Sequence, residues 1–265
     1  MSIYRWVRAA WGIALRHPVD ILVYQMGKVG STSVCRSLQK AGFGPLQVHR
    51  TVSDLPHMER FTETDRDFPF HFYLGRLLRR YFKWTSHRIK IITLVRDPIA
   101  RYISAQFQTL DHEPIPTEDA QQAARQLQQT VGKRREEISF AWFGREMEPQ
   151  LGVNPISEPF DREAGYALIE APRADVLVLK LEQLDDLIPG VVSAFVGEEL
   201  RVVRANRGEE KEYADYYQEV LRHFSVSETV CREVYNHKHI RHFYTPDEIN
   251  QFVQKWTDQS TVPHT

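Results

Sequence analysis

The amino-acid sequence predicts an α/β protein with a mainly parallel sheet flanked by helices and a helix-rich C-terminal half. Two observations carry this. Short apolar runs at 21–24, 47–49, 89–95 and 175–180 alternate with stretches of helical period, the pattern of strands joined by helical crossovers. The first of these runs then breaks into a glycine-containing turn at Gly27 to Gly30, ahead of a helix-compatible segment. No internal repeat or linker-like composition divides the 265 residues, a length that suits one large domain, here placed at 19–257. Residues 1–18 form an amphipathic leading segment, and 258–265 a loose tail.

Taken in order, Ile21-Leu22-Val23-Tyr24 reads as a buried strand, Gln25 to Gly30 as a tight loop, and Ser31-Thr32-Ser33 as the entry to a helix reaching Ala41. Pro45 to His49 is a short strand, 51–69 a polar loop, and Phe70 to Trp84 a helix with Leu74, Leu77, Leu78 and Tyr81 on one face. Ile89 to Val95 is the clearest strand. Asp97 then suits an N-cap and Pro98 the first helical position, so a helix should run to about Gln108. Residues 117–148 are helix-rich and carry the basic run Lys133-Arg134-Arg135, read as a solvated face. Gly152 to Pro159 is loop, Asp175 to Leu181 a buried strand, Glu182 to Phe195 one helix, and Leu200 to Arg204 a further strand. Tyr213 to Phe224, Glu228 to Asn236 and Pro246 to Trp256 complete the chain as helices.

Composition bounds the function. The 42% hydrophobic fraction and five tryptophans are enough for a core. Lys+Arg 34 against Asp+Glu 35 leaves no global bias toward nucleic acid, so any anion site must be a local concentration of charge. Two cysteines, Cys35 and Cys231, suit a reducing cytoplasm, with Cys35 on the apolar side of the first helix. No apolar run reaches the roughly 18–20 residues that span a bilayer. Between residues 3 and 15, Ile3, Trp6, Val7, Ala10, Trp11 and Ala14 share a helical face, with Arg5 and Arg8 elsewhere. Two readings fit this segment: a helix packed on the domain's own core, and peripheral contact with the inner membrane surface. It has no cleavage-site pattern and is not read as a signal peptide.

The loop is where chemistry enters. Glycines let backbone N–H groups approach a ligand, while the N-terminus of the following helix and Lys28 supply positive charge. An oxyanion such as phosphate or sulfate belongs at Gly27, Lys28, Val29, Gly30, Ser31, Thr32 and Ser33, and a structural turn is the alternative. The arrangement is P-loop-like but not the usual nucleotide loop, whose lysine follows its last glycine and directly precedes Ser or Thr. Here Lys28 comes before Gly30. A second anchor, Arg96, ends a strand on the edge where the loop must also lie, and Ser104 shares a helix face with Arg101. Arginine forks onto phosphate and the serine hydroxyl adds a donor.

Lys28-Val29-Gly30-Ser31-Thr32 together with Arg96-Asp97-Pro98-Ile99-Ala100-Arg101-Tyr102-Ile103-Ser104 resembles the two nucleotide motifs of the carbohydrate sulfotransferase superfamily. Trp142-Phe143 with Glu146, Val178 to Leu184 and His242 to Ile249 look like segments of bacterial capsular polysaccharide synthesis proteins, a sulfotransferase-like group. The resemblance implies 3′-phosphoadenosine-5′-phosphosulfate (PAPS) as donor and a carbohydrate as acceptor. It places the 5′-phosphosulfate on residues 27–33, with Lys28 catalytic, and the 3′-phosphate on Arg96 and Ser104. No metal is expected, because lysine and arginine can supply the countercharge. Three residues are candidates for the base. His71 lies where glycan 2-O-sulfotransferases carry a catalytic histidine, although their His-x-His is here Pro69 or Tyr73 beside His71. His49 ends a strand, and Glu146 is the third candidate. Trp142 and Glu146 are candidates for the acceptor site. Asn206, Arg207 and Lys211 could close over the nucleotide. His237, His239 and His242 have irregular spacing for a metal and read as a basic surface turn. Two other functions stay open: a nucleotide kinase with a degenerate phosphate loop, and a non-catalytic glycan-binding protein that keeps the fold.

Overall fold

The computed structural model describes residues 21–49, 70–84, 88–107, 119–131, 140–204 and 214–257. The leading segment 1–18, the tail 258–265, the Lys133-Arg134-Arg135 run, and Asn206, Arg207 and Lys211 lie outside the described residues. The chain clusters into two compact units. One comprises residues 1–94, 142–159 and 166–203, the other residues 95–141, 160–165 and 204–265.

The first unit is built on a five-stranded sheet in the order β2-β1-β3-β5-β4. Its strands are β1 (Ile21–Tyr24), β2 (Leu46–Val48), β3 (Ile89–Val95), β4 (Tyr166–Ala171) and β5 (Ala174–Lys180). β1 pairs in parallel with β2, Tyr24 opposite Val48, and with β3, Val23 opposite Ile92. All four residues of β1 are buried, as expected for a central parallel strand covered on both faces. Helix α1 (Ser31–Lys40) connects β1 to β2 and buries Val34, Cys35 and Leu38; α2 (Phe70–Trp84) leads toward β3.

Two strand assignments in this unit depart from the sequence reading. The first is β4, which was not expected. It forms an antiparallel hairpin with β5, Ala171 opposite Ala174, and its alternating burial marks a sheet edge with one wet face. The second is Leu200 to Arg204, expected as a strand, which belongs to no strand among the described residues. Ser193 Oγ accepts from Leu200 N at 2.9 Å and Ser37 Oγ accepts from Val203 N at 2.9 Å. Side-chain hydroxyls satisfy these backbone donors in place of a ladder.

The helix expected at 182–195, here α6, is broken into four pieces: a 3₁₀ turn (Leu181–Gln183), Leu184–Leu187, a π turn (Ile188–Val192) and Ser193–Val196. Pro189 lacks the N–H that a continuous α-helix needs there, and the π turn accommodates it. Ser193 Oγ donates to the Ile188 carbonyl at 3.0 Å. Earlier in the chain, α5 likewise joins a π turn, Phe143–Met147, to Glu148–Leu151.

The second unit is helical: α3 (Pro98–Gln106), α4 (Ala120–Val131), α7 (Ala214–His223), α8 (Glu228–Tyr235), α9 (Lys238–Phe243) and α10 (Pro246–Thr257). Most were legible from the sequence, but α9 replaces the expected surface turn. Its N-cap is His237, whose Nδ1 accepts from His239 N at 3.3 Å. Aromatic edges fill the core: Phe107 against Tyr217 at 4.8 Å, and Phe243 between Phe140 at 5.1 Å and Phe160 at 5.0 Å. No helix among the described residues is long and apolar enough to cross a membrane.

Candidate anion-binding site

The loop at the carboxyl end of β1 has two residues in the left-handed region, Lys28 at φ 69° and Gly30 at φ 80°. Gly30 is the N-cap of α1; its positive φ favours glycine, and a methyl group there would also oblige the end of the Leu181 side chain to shift. Lys28 is different. It is the one described non-glycine residue with positive φ, a conformation that costs an L-residue about 1–2 kcal/mol. Gly27 does not use positive φ, and a methyl group built on it meets nothing within 4 Å. Val29 is fully buried and anchors the loop from beneath.

Beyond Gly30 the first turn of α1 is Ser31, Thr32 and Ser33, with no acidic residue to offset the positive end of the helix. Ser33 N donates to Gly30 O at 3.2 Å. Ser31 is buried, and its Oγ accepts from Gln47 Nε2 at 2.7 Å, tying the start of the helix to β2. Thr32, Ser33 and Lys28 are half-buried.

Next to the loop the strand order brings His49 beside Gln25. The Gln25 N–H donates to Val48 O at 3.2 Å, extending the β1–β2 pairing by one residue. His49 Nδ1 lies 3.1 Å from Gln25 O. A carbonyl only accepts, so in this hydrogen bond Nδ1 carries the proton. Trp142 Nε1 donates to His49 O at 2.9 Å and holds its backbone. The Trp142 ring meets Tyr24 edge-on at 5.0 Å. The Tyr24 hydroxyl in turn donates to Glu146 Oε2 at 2.9 Å, and Glu146 is buried. Thus Lys28, His49, Trp142 and Glu146 all belong to the first unit, and the last three are joined through β1 and the residue after it. Gln25 was missed by sequence reasoning. Its side chain is fully buried with neither amide atom hydrogen-bonded, and only the strand order puts it beside His49.

His71 lies in α2 next to its first residue, and its side chain is outside the described residues. Arg96 and Ser104 belong to the second unit. Both are half-buried; Arg96 directly follows β3, and Ser104 lies on α3 three residues after Arg101.

Between them Asp97 performs more than the capping expected of it. Its Oδ1 accepts from Ile99 N at 3.0 Å, as an N-cap should. The same oxygen accepts from Tyr235 Oη at 2.7 Å, and Oδ2 accepts from Trp256 Nε1 at 2.8 Å. The carboxylate is 2% exposed, so this is a buried charge satisfied by three donors. Tyr235, itself fully buried beside that charge, has its phenol pushed well above the ordinary value by burial and then by Asp97.

Residues 120–245 match the family model described as "Putative capsular polysaccharide synthesis protein". The matched region is just under half of the chain. It contains Trp142, Glu146, β5 and Tyr235, but neither the Lys28 loop nor the Arg96 corner. It relates the centre of this chain to capsular polysaccharide proteins. No curated protein and no solved structure matches the chain.

Proposed function

We propose that the protein is a PAPS-dependent O-sulfotransferase with a P-loop-like donor site, acting on a sugar hydroxyl of a polysaccharide, glycan or glycolipid precursor. The observation that carries this reading is the left-handed backbone of Lys28 in a loop that runs into the N-terminus of α1. Strain at a single residue of a glycine loop points to function, because a turn alone would be met more cheaply by glycine. The chemistry suits a doubly anionic group: a lysine, a helix N-terminus without acidic side chains, and three hydroxyl residues in one short stretch. The family match over residues 120–245 supports a carbohydrate as the acceptor.

Each residue then has a task. Nε2 of His49 takes the proton of the acceptor hydroxyl, in the tautomer fixed by the Gln25 carbonyl. The acceptor oxygen forms a bond to sulfur as the bond from sulfur to the bridging phosphate oxygen breaks in line. The products are a sulfate ester and adenosine 3′,5′-bisphosphate. Lys28 neutralises the charge that develops on the departing oxygen, and the N–H groups and hydroxyls of residues 29–33 hold the 5′-phosphate. Arg96 and Ser104, by their motif, hold the 3′-phosphate. Trp142 and Glu146 line the acceptor side. Sulfuryl transfer of this kind is mainly positioning and charge neutralisation, which these side chains can supply.

Radiolabelled PAPS offered with a panel of capsular polysaccharides tests the assignment. Wild-type protein should label at least one of them, and Lys28→Ala should lower the rate by about 10²–10³ while leaving the fold intact. Near-normal transfer by Lys28→Ala would remove the basis of the proposal.

A further inference from the structure

We infer that Tyr235 and Trp256 are positioning residues for Arg96, and that through Asp97 they set the selectivity of the site for a nucleotide bearing a 3′-phosphate. This rests on the sulfotransferase reading above, and extends it to two side chains that touch neither donor nor acceptor.

An N-cap needs a single contact, and Ile99 N already supplies it. The two additional donors come from residues 138 and 159 positions away in sequence, which is more than capping α3 requires. Both donors are themselves locked. Tyr235 ends α8 and stacks on Phe252 at 5.7 Å, which Tyr244 meets edge-on at 5.2 Å. The Trp256 ring stands edge-on to Phe224 at 5.7 Å, with Lys255 Nζ 4.6 Å from its centroid on α10. The Asp97 carboxylate is thus gripped from two helices by aromatic groups packed against other rings.

What the grip fixes is the residue before it. Asp97 precedes a proline, which confines its own backbone, and its carbonyl accepts from Arg101 N at 2.9 Å. With the side chain also held, Asp97 is constrained at every polar atom that faces the helix. The Arg96 Cα lies one trans peptide away, about 3.8 Å, so the hold on Asp97 limits where that Cα can stand. Bidentate arginine–phosphate contacts tolerate little angular error, and displacement of about 1 Å can cost on the order of a hundredfold. A nucleotide without a 3′-phosphate gives Arg96 nothing to grip and would not sense this error.

The test is calorimetric titration of the full chain with adenosine 3′,5′-bisphosphate and, separately, with adenosine 5′-monophosphate. Wild type, Trp256→Phe, Tyr235→Phe and the control Phe224→Leu are compared, each checked for folding by circular dichroism. Tyr235→Phe keeps the ring and removes only the donor; Trp256→Phe removes the donor and also replaces the indole by a smaller phenyl ring, a packing change on which the control reports, since it disturbs the Trp256 packing but keeps both hydrogen bonds. Expected is a loss of about tenfold or more in the preference for the bisphosphate in both donor variants, with 5′-monophosphate affinity unchanged. Phe224→Leu should keep the wild-type preference. An unchanged preference in the donor variants, or an equal loss for both nucleotides, overturns the inference. If wild type binds the two nucleotides alike, the sulfotransferase reading itself fails and the inference falls with it. Should Trp256→Phe not fold, Tyr235→Phe decides alone.

Discussion

Replacing Asp97 with alanine should be among the most damaging single changes in the helical unit. The substitution strands two buried donors, the Tyr235 hydroxyl and the Trp256 indole N–H, and removes the cap from α3. Each orphaned buried donor costs about 1–3 kcal/mol and a lost N-cap about 0.5–2 kcal/mol, giving roughly 2.5–8 kcal/mol in all. Lys255 adds little, because its Nζ is 3.9 Å from Oδ2 and the side chain is 47% exposed. Net stabilities of domains are about 5–15 kcal/mol, so the variant should sit near the edge of folding. Urea denaturation followed by tryptophan fluorescence measures the loss. A double-mutant cycle with Tyr235→Phe then isolates one bond, and a coupling of about 1.5–3 kcal/mol is expected for a charged acceptor. Losses that add to within about 0.5 kcal/mol would mean that the hydroxyl and the carboxylate do not interact.

Two further outcomes follow from the same unit. Cys231 is fully buried, and burial, then Asp97 and Glu228, push its thiol up to about 12. It should resist a thiol-directed disulfide reagent in the native state at pH 8 and react only as the chain unfolds; prompt native-state labelling would contradict its placement. His239 is held below the ordinary imidazole value by burial, with His237, Lys238 and His242 adding repulsion. The unfolded chain therefore takes up this proton first, so the contribution of His239 to stability is whole above about pH 6.5 and declines as the pH falls below it. His239→Gln should flatten the dependence of the denaturation midpoint between pH 7 and 5.5, and an unaltered slope would assign that dependence to other groups.

Local signals in the sequence found the central sheet and most helices, because each reported on its own neighbourhood. Asp97-Pro98 announces a helix start wherever it occurs, and Ile89 to Val95 is apolar enough to be recognised alone. The failures came where an element depends on a distant partner. β4 runs Tyr-Ala-Leu-Ile-Glu-Ala, weak in β-branched residues, and is a strand because β5 turns back onto it across Pro172-Arg173. Leu200 to Val203 looks like a strand, but its backbone donors were claimed by Ser193 and Ser37. Pro189 was a visible warning of a break in α6, since an interior proline removes a helical donor.

For the site the division is sharper. That a loop at 27–33 suits an anion is written in residue types, but the use of each residue is not. Both glycines look equal in sequence, yet Gly27 keeps to ordinary φ while Lys28 takes the left-handed position beside Gly30. A glycine at 28 would make the same turn at lower conformational cost, so what lysine adds is the ammonium group. His49 lies against the Gln25 carbonyl because of strand order, a relation that spacing along the chain cannot express. Asp97 shows the same limit from the other side. Its capping role is local and was legible, whereas its bonds to Tyr235 and Trp256 depend on where α8 and α10 settle. A buried tryptophan in an apolar stripe does imply an acceptor for its N–H, and that was the only trace of the clasp in the sequence.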